Sequence, residues 1–393
     1  MTAPERRFRT PDITSALRGL FAPRAASFGI NVVLYIASFA VALGIAALLV
    51  SLTDATPGQV ITEMYNGSLK YGSSFGQTID EATPILIVAL GVVIATRAGI
   101  INIGTEGQLL MGATVGTAIG LNVPGPGGLV LVFTIVGAAI GGALWAGVAA
   151  ALRFTRGVDI VISTLLLNFV ANQVLSFLVN RESLLRETTK AGQISVPQSD
   201  QLPERVWMPR IGEYPNLNFQ VGVFLAIALV VLVAVFLTRS RWGFRIKMLG
   251  LNEVAARRAG VRVAALGGGA LLLSGAFAGA AGGTMLTGTV FRVQPGFSND
   301  VGFDGLLVAL IARGSPMATV PVAFFFGMLR SGGGFLASAG VPSYFVGIVK
   351  ALLVLAALFP PLLLGVARRR RELRQARAAA QATTPAALGV EAA

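Results

Sequence analysis

The chain contains no cysteine and no histidine. The first absence excludes a disulfide framework and thiolate chemistry. The second removes the commonest proton shuttle and metal ligand, and with it any Ser/His/Asp catalytic set. Charge is also scarce. Only 12% of the 393 residues are Asp, Glu, Lys or Arg, against about 25% in a soluble domain. No Gly-x-x-x-x-Gly-Lys-Ser/Thr phosphate loop occurs, so a nucleotide-hydrolysing site is not encoded here. No paired carboxylates lie at helical spacing within an apolar run, which leaves a membrane-embedded enzyme without machinery.

What remains is apolar. Hydrophobic residues make up 54% of the chain and the mean hydropathy is +0.74. Many runs approach the ~20 residues that cross a bilayer. They are continuous, not alternating, which excludes a membrane β-barrel. The fold class is therefore all-α, a polytopic transmembrane helical bundle of about ten spans. The expected spans are roughly 29–52, 82–97, 105–122, 127–152, 159–179, 218–238, 264–290, 302–313, 316–330 and 343–366. Several are short or interrupted by Gly, Pro or charge. The run at 29–52 is too long for a signal-peptide core, so it reads as a retained anchor.

The net charge of +13 has a telling placement. Arg6, Arg7, Arg9, Arg18 and Arg24 precede the first run; Arg368 to Arg371, Arg374 and Arg377 follow the last; a third cluster lies in 239–262. Basic residues beside spans mark cytoplasmic ends and anionic headgroups. Without aromatic interleaving they do not read as a nucleic-acid surface. An even span count then puts both termini in the cytoplasm. The organisation is a tail at 1–28, a permeation domain at 29–366 and a basic, Ala-rich tail at 367–393. Loops 53–81 and 180–217 fall outside, and segments 152–158 and 239–263 inside.

The most informative stretch is Arg97-Ala-Gly-Ile-Ile-Asn-Ile-Gly-Thr-Glu-Gly-Gln108. It places Asn102, Glu106 and Gln108 between two apolar runs. Polar groups at membrane depth are costly and belong in a bundle interior or a wet cavity, so all three are candidates for a transport pathway. Gly99, Gly104 and Gly107 suit a broken or closely packed helix there. Arg97 alone reads as a positive-inside residue at a turn.

Polarity recurs along the fifth run as Ser163, Thr164, Asn168, Asn172 and Gln173. Asn168 and Asn172 are one turn apart and share a face. They are candidates for a solute pathway or for interhelical glue, at roughly 0.6 kcal/mol each. Asp304 opens the short eighth run as a cap or first-turn charge. Lys350 lies within the last run, with Glu106 and Asp304 as candidate partners. Gly275, Gly279 and Gly283 form a small-residue stripe suited to close helix packing. In 239–263, Asn252 can cap a short helix and Gly260 can end it. Ala255 and Ala256 offer a small surface for docking into another protein's groove. The alternative is a basic helix resting on headgroups.

Several blocks together resemble permease subunits of bacterial ABC importers, in the nucleoside and simple-sugar branch related to branched-chain amino acid permeases. They are the 97–108 stretch, Ile160-Val-Ile-Ser-Thr-Leu-Leu-Leu-Asn168, Gly250-Leu-Asn-Glu-Val-Ala-Ala-Arg-Arg-Ala-Gly260, Gly302-Phe-Asp-Gly-Leu-Leu-Val-Ala-Leu310 and Arg313-Gly-Ser-Pro316. Glu253 stands where that pattern has a proline. The resemblance implies an importer in the bacterial cell membrane. It would comprise an ABC ATPase, a second permease that is a paralogue, and an extracytoplasmic substrate-binding protein. This chain would carry no cofactor, with ATP and Mg held by the ATPase, and would move a nucleoside; a simple sugar is the alternative solute. The implied ATPase-coupling residues are Gly250, Asn252, Glu253, Ala255, Ala256, Arg257 and Gly260. A third reading is an ion-coupled secondary transporter using Glu106 and Asp304, which leaves 239–263 unexplained.

Overall fold

The structure, a computed structural model, describes residues 36–51, 56–181, 183–188, 196–336 and 347–357, with single positions around them. Apart from two such positions, the tails expected at 1–28 and 367–393 lie outside the described residues. Contacts divide the chain into two units. Residues Met1–Leu49 with Ile348–Ala393 form one, and Val50–Gly347 the other. The first is represented by α1 (Ile36–Val50) and α13 (Gly347–Ala357), all but one terminal residue of each.

The larger unit holds α2 (Pro57–Tyr65), α3 (Gly72–Arg97), α4 (Thr105–Asn122), α5 (Gly127–Arg156), α6 (Ile160–Val179) and α7 (Gly222–Arg239). It continues with α8 (Arg241–Leu251), α9 (Glu253–Arg258), α10 (Val263–Met285), α11 (Val301–Ile311) and α12 (Pro316–Leu336). A single π-helical turn follows α2 and another extends α10 to Val290. Local chemistry sets the starts. Thr56 and Gln59 form a capping box on α2, with Pro57 in the first turn. Asp159, Ser240 and Asn252 cap α6, α8 and α9 through their side chains. Gly157 ends α5 at φ +72°.

Among the described residues, six helices are long and apolar enough to cross a membrane: α3, α5, α6, α7, α10 with its extension, and α12. The expected count of about ten is not confirmed, and two of the expected spans, 29–52 and 343–366, lie partly outside the described residues. α11 has 11 residues, which at 1.5 Å per residue is about 16 Å, half a hydrocarbon core. The expected outer loop 53–81 is largely helical, since α3 begins at Gly72 and carries Asp80 and Glu81. The apolar count missed this turn because Ser73, Ser74, Gln77 and Asp80 interrupt it. Likewise α12 continues past Arg330 to Leu336, where a charge followed by three glycines reads as a stop.

The most extensive packing is α10 on α5, followed by α4 on α5, α12 on α3 and α10 on α3. The Gly275/Gly279/Gly283 stripe lies in the first of these. A methyl on Gly279 would stand 3.0 Å from Gly142 Cα, and one on Gly283 2.9 Å from Ala138 Cβ. The two backbones thus approach as only small residues allow.

One end of this unit gathers residues 98–101, 153–154, 159–161, 249–253 and Val263 around a shared groove. At the other end, backbone bonds join Ser199, Leu202 and Met208 to Val293, Phe291 and Thr287. A two-stranded hairpin (β1, Arg210–Ile211; β2, Phe219–Gln220) closes that end.

Gly279→Val should overfill the α5–α10 contact at a cost of about 3 kcal/mol. Gly147, also on α5, has nothing within 4 Å of a built Cβ, so Gly147→Val should be nearly neutral. Thermal unfolding of the purified protein in detergent checks the pair. Equal midpoints would mean the stripe does not set the packing.

Candidate functional site

The 97–108 motif breaks the helical run. α3 ends at Arg97, α4 starts at Thr105, and the residues between are not helical. Gly99 supplies φ +78° at the turn, a conformation L side chains rarely adopt. The chain then climbs back among the spans instead of leaving the bundle. Asn102 is fully buried and meets Ser274 of α10. Ser274 lies eleven residues into α10, roughly 16 Å along its axis.

Every hydrogen-bonding position of the Asn102 amide is used. Its nitrogen donates to Gln108 Oε1 at 2.8 Å and to Ser274 Oγ at 3.0 Å. Its oxygen accepts from Gly104 N at 3.0 Å and Gln108 Nε2 at 3.1 Å. That satisfies two donors and two acceptors in a water-poor interior, where an unmade bond is costly.

The rest of the motif binds two more helices. Gly107 N donates to Asn168 Oδ1 at 2.9 Å, and Asn168 Nδ2 donates to Ile103 O at 2.9 Å. Thr105 Oγ1 donates to Gly302 O at 2.9 Å. Glu106, also buried, accepts from Ser298 Oγ and, at 2.8 Å, from Gly302 N. The small residues have a steric reason. A methyl on Gly107 would sit 3.0 Å from Asn168 Cα, and one on Gly104 2.9 Å from Thr164 Cβ. The motif thereby fastens α6, α10 and the start of α11 to α4.

The predicted site residues therefore separate. Asn102, Glu106, Gln108 and Asn168 come together in one buried network. Ser163 and Thr164 are buried on α6 but donate to the Ile160 carbonyl in their own helix. Asn172 faces outward, although its amide donates to Asn168 O at 3.1 Å. Lys350 is half-buried on α13, in the smaller unit. Asp304 is buried in the first turn of α11 and accepts from Arg330 Nη1 at 3.1 Å.

Arg330 was not singled out from the sequence, because it closes an apolar run. Its side chain is 9% exposed and also donates to Glu81 Oε2 at 2.8 Å and Asn299 O at 2.8 Å. Asp80 was missed for the reason given for α3. It accepts from Arg210 at 2.6 Å and from Gln220 N at 2.8 Å, which fastens the hairpin to α3. Ser274 had a weak signal, a lone hydroxyl among apolar residues, whereas Ser298 beside Asn299 and Asp300 reads as ordinary loop polarity.

At the grooved end, Asn252 Oδ1 accepts from Ala255 N at 3.0 Å and Gly260 has φ +79°. Glu253 and Arg257 pair along the exposed surface at 2.8 Å. Ala256, read as a docking residue, is fully buried against its own chain. One turn of helix can present only one face outward, and that face carries Val254 and Ala255. Gly250 joins this end to the motif. A methyl there would stand 2.8 Å from Gly99 N, and it would also meet the Arg97 carbonyl. Arg97 Nε in turn donates to Gly314 O at 2.8 Å, between α11 and α12.

Asn168→Leu should cost about 1–3 kcal/mol, since it orphans Gly107 N and the Ile103 carbonyl. Asn172→Leu should cost less than about 1 kcal/mol. Arg330→Met should cost about 3–5 kcal/mol by leaving Glu81 and Asp304 without their shared cation. Thermal midpoints of the purified variants rank them; Asn172→Leu as damaging as Asn168→Leu would contradict this geometry.

Comparison with known proteins places this architecture. Residues 74–358 match the family model described as the branched-chain amino acid transport system / permease component. The glucose ABC transporter permease protein TsgB13 of Haloferax volcanii is 33% identical over 294 residues, covering 72% of this chain and 76% of that protein. The guanosine ABC transporter permease protein NupP of Bacillus subtilis is 31% identical over 320 residues, covering 80% and 90%. The nucleoside ABC transporter permease protein NupB of Lactococcus lactis is 27% identical over 303 residues, covering 74% and 81%. The chain belongs to the family of branched-chain amino acid transport system permease components, and it is an integral membrane transport subunit with no catalytic role of its own.

Proposed function

We propose that this permease admits a nucleoside to the cytoplasm from an extracytoplasmic binding protein, driven by an ATPase on a separate chain. The observation that carries the coupling is the close approach of Gly250 to Gly99. It puts α8 and α9 directly against the turn from which the buried network is built. A push on α9 thus has a stiff route to the motif, and through it to α6, α10 and α11.

The docking face is the exposed one. Leu251 is 78% exposed and Val254 62% exposed, with Ala255 and Arg257 beside them. Ala256 supports that face from behind. ATP and Mg belong to the ATPase, because no phosphate loop occurs here. A second permease, a paralogue, would complete the pathway, and the outward-facing Asn172 and Gln173 of α6 are candidates to line it.

Orientation follows from charge. Arg97, Arg153, Arg156, Arg239, Arg241 and Arg245 all belong to the grooved end or to helices leading into it. The positive-inside rule makes that end cytoplasmic; the basic clusters at Arg6 to Arg24 and Arg368 to Arg377 argue separately, by charge alone, for cytoplasmic termini. The solute reading rests on the nucleoside relatives; the glucose permease favours a simple sugar as the second reading. Ion coupling is disfavoured. Glu106 is held by Ser298 and Gly302, and Asp304 by Arg330.

Leu251→Asp and Val254→Asp should each weaken ATPase association by roughly 2 kcal/mol or more, as at an interface centre. Copurification of the ATPase and ATP-driven uptake in vesicles should fall together while permease yield holds. Normal ATPase binding in both variants would overturn the docking assignment. Uptake of labelled guanosine that excess glucose leaves unchanged supports the nucleoside reading; the reverse pattern makes the solute a sugar.

A further inference from the structure

We infer that the groove between α7, α8 and the start of α10 binds an anionic phospholipid of the cytoplasmic leaflet. The cavity is about 680 Å³. Its mouth carries Arg245 and Arg262, and its walls Phe236, Trp242, Leu266 and Leu273. No carboxylate lines it. The Arg245 guanidinium lies 5.4 Å from the Trp242 ring centre, a cation–π contact between two lining residues.

Charge and shape select the occupant together. Segment 239–262 has seven basic residues (239, 241, 245, 247, 257, 258 and 262) and one acidic residue, Glu253. That carboxylate is already paired with Arg257. With no carboxylate in the groove lining, Arg245 and Arg262 can meet a phosphate there. α10 also starts at this mouth with no side chain capping it, which adds positive potential.

A free phosphate would leave most of such a cavity empty. The apolar walls call for hydrocarbon attached to the anion. They run into outward-facing Leu232 and Val235 of α7 and Leu272 and Leu273 of α10. α7 is also the least buried of the six candidate spans. A lipid can thus place its headgroup on the arginines and one chain along Phe236 and Leu273, entering sideways from the bilayer. This inference needs only a membrane protein with this end cytoplasmic, not the nucleoside reading.

Gly269 gives a clean test. It lines the cavity, and nothing stands within 4 Å of a Cβ built there. Gly269→Leu should project its side chain into the groove from a position where a Cβ meets nothing, and it leaves both arginines in the sequence. The full chain in neutral detergent is titrated with phosphatidylglycerol and with phosphatidylcholine, and bound lipid is read by native mass spectrometry. Phosphatidylglycerol should bind about thirtyfold more tightly, from two arginines near a headgroup.

The double variant Arg245→Gln/Arg262→Gln should erase that preference. Gly269→Leu should weaken both lipids, and Lys247→Gln, outside the groove, should change nothing. Excess inorganic phosphate should leave the lipid bound. Equal affinity for the two lipids, or full displacement by phosphate, would overturn the inference. So would unchanged binding in Gly269→Leu, which would put the headgroup on the basic surface only. Lipid lost from the chain once the ATPase and second permease are added would assign the groove to a protein contact instead.

Discussion

The rest of this structure depends on one side-chain amide. Asn102 sits fully buried where α3 and α4 are interrupted, and its four hydrogen-bonding positions are all occupied by protein groups. Polar groups in such an interior are either completely matched or destabilising. Because Asn102 is matched by Gln108, Gly104 and Ser274, the break in the helix has a single arrangement. The neighbouring Glu106 and Thr105 then fix α11, and Gly107 fixes α6. A helix break that would cost several unsatisfied backbone groups in lipid becomes the junction of the bundle.

That junction lies between two different ends. Towards α9, the contact of Gly250 with Gly99 is made by backbone, without intervening side chains that could yield. Towards the hairpin, Arg210 clasps Asp80, and Arg330 bridges Glu81 and Asp304. Force arriving at α9 therefore meets closely packed backbone first and charge-paired helices beyond. Close packing transmits displacement where loose side chains would absorb it. Such mechanical continuity is what the proposed drive by an ATPase on a separate chain would require.

Much of this was legible in the residues. The all-α class, the break at 97–108, the capped helix at 252–260 and the α10 glycine stripe all follow from short-range patterns that the structure reproduces. Asn168 was recognised as a buried amide, but its partners Gly107 and Ile103 are some sixty residues away, beyond any local pattern. Arg330 escaped because a charge followed by serine and glycines reads as the end of a span, and Asp80 because it stands with Glu81 in a polar stretch before the apolar run. Tertiary pairing made each an interior residue. Ala256 was assigned to a partner because smallness alone does not say which face of a short helix points outward. The two ends of the chain carry basic clusters whose placement is outside the described residues, so their orientation rests on charge.

The most direct test of the Asn102 junction is a double-mutant cycle on Asn102→Leu and Gln108→Leu, read as unfolding free energy of the purified protein in detergent. If the two amides complete each other, either single change leaves its partner unsatisfied. The double variant should then be less destabilised than the sum of the singles by about 1–3 kcal/mol. Additive losses would show that the amides act independently and would contradict the account.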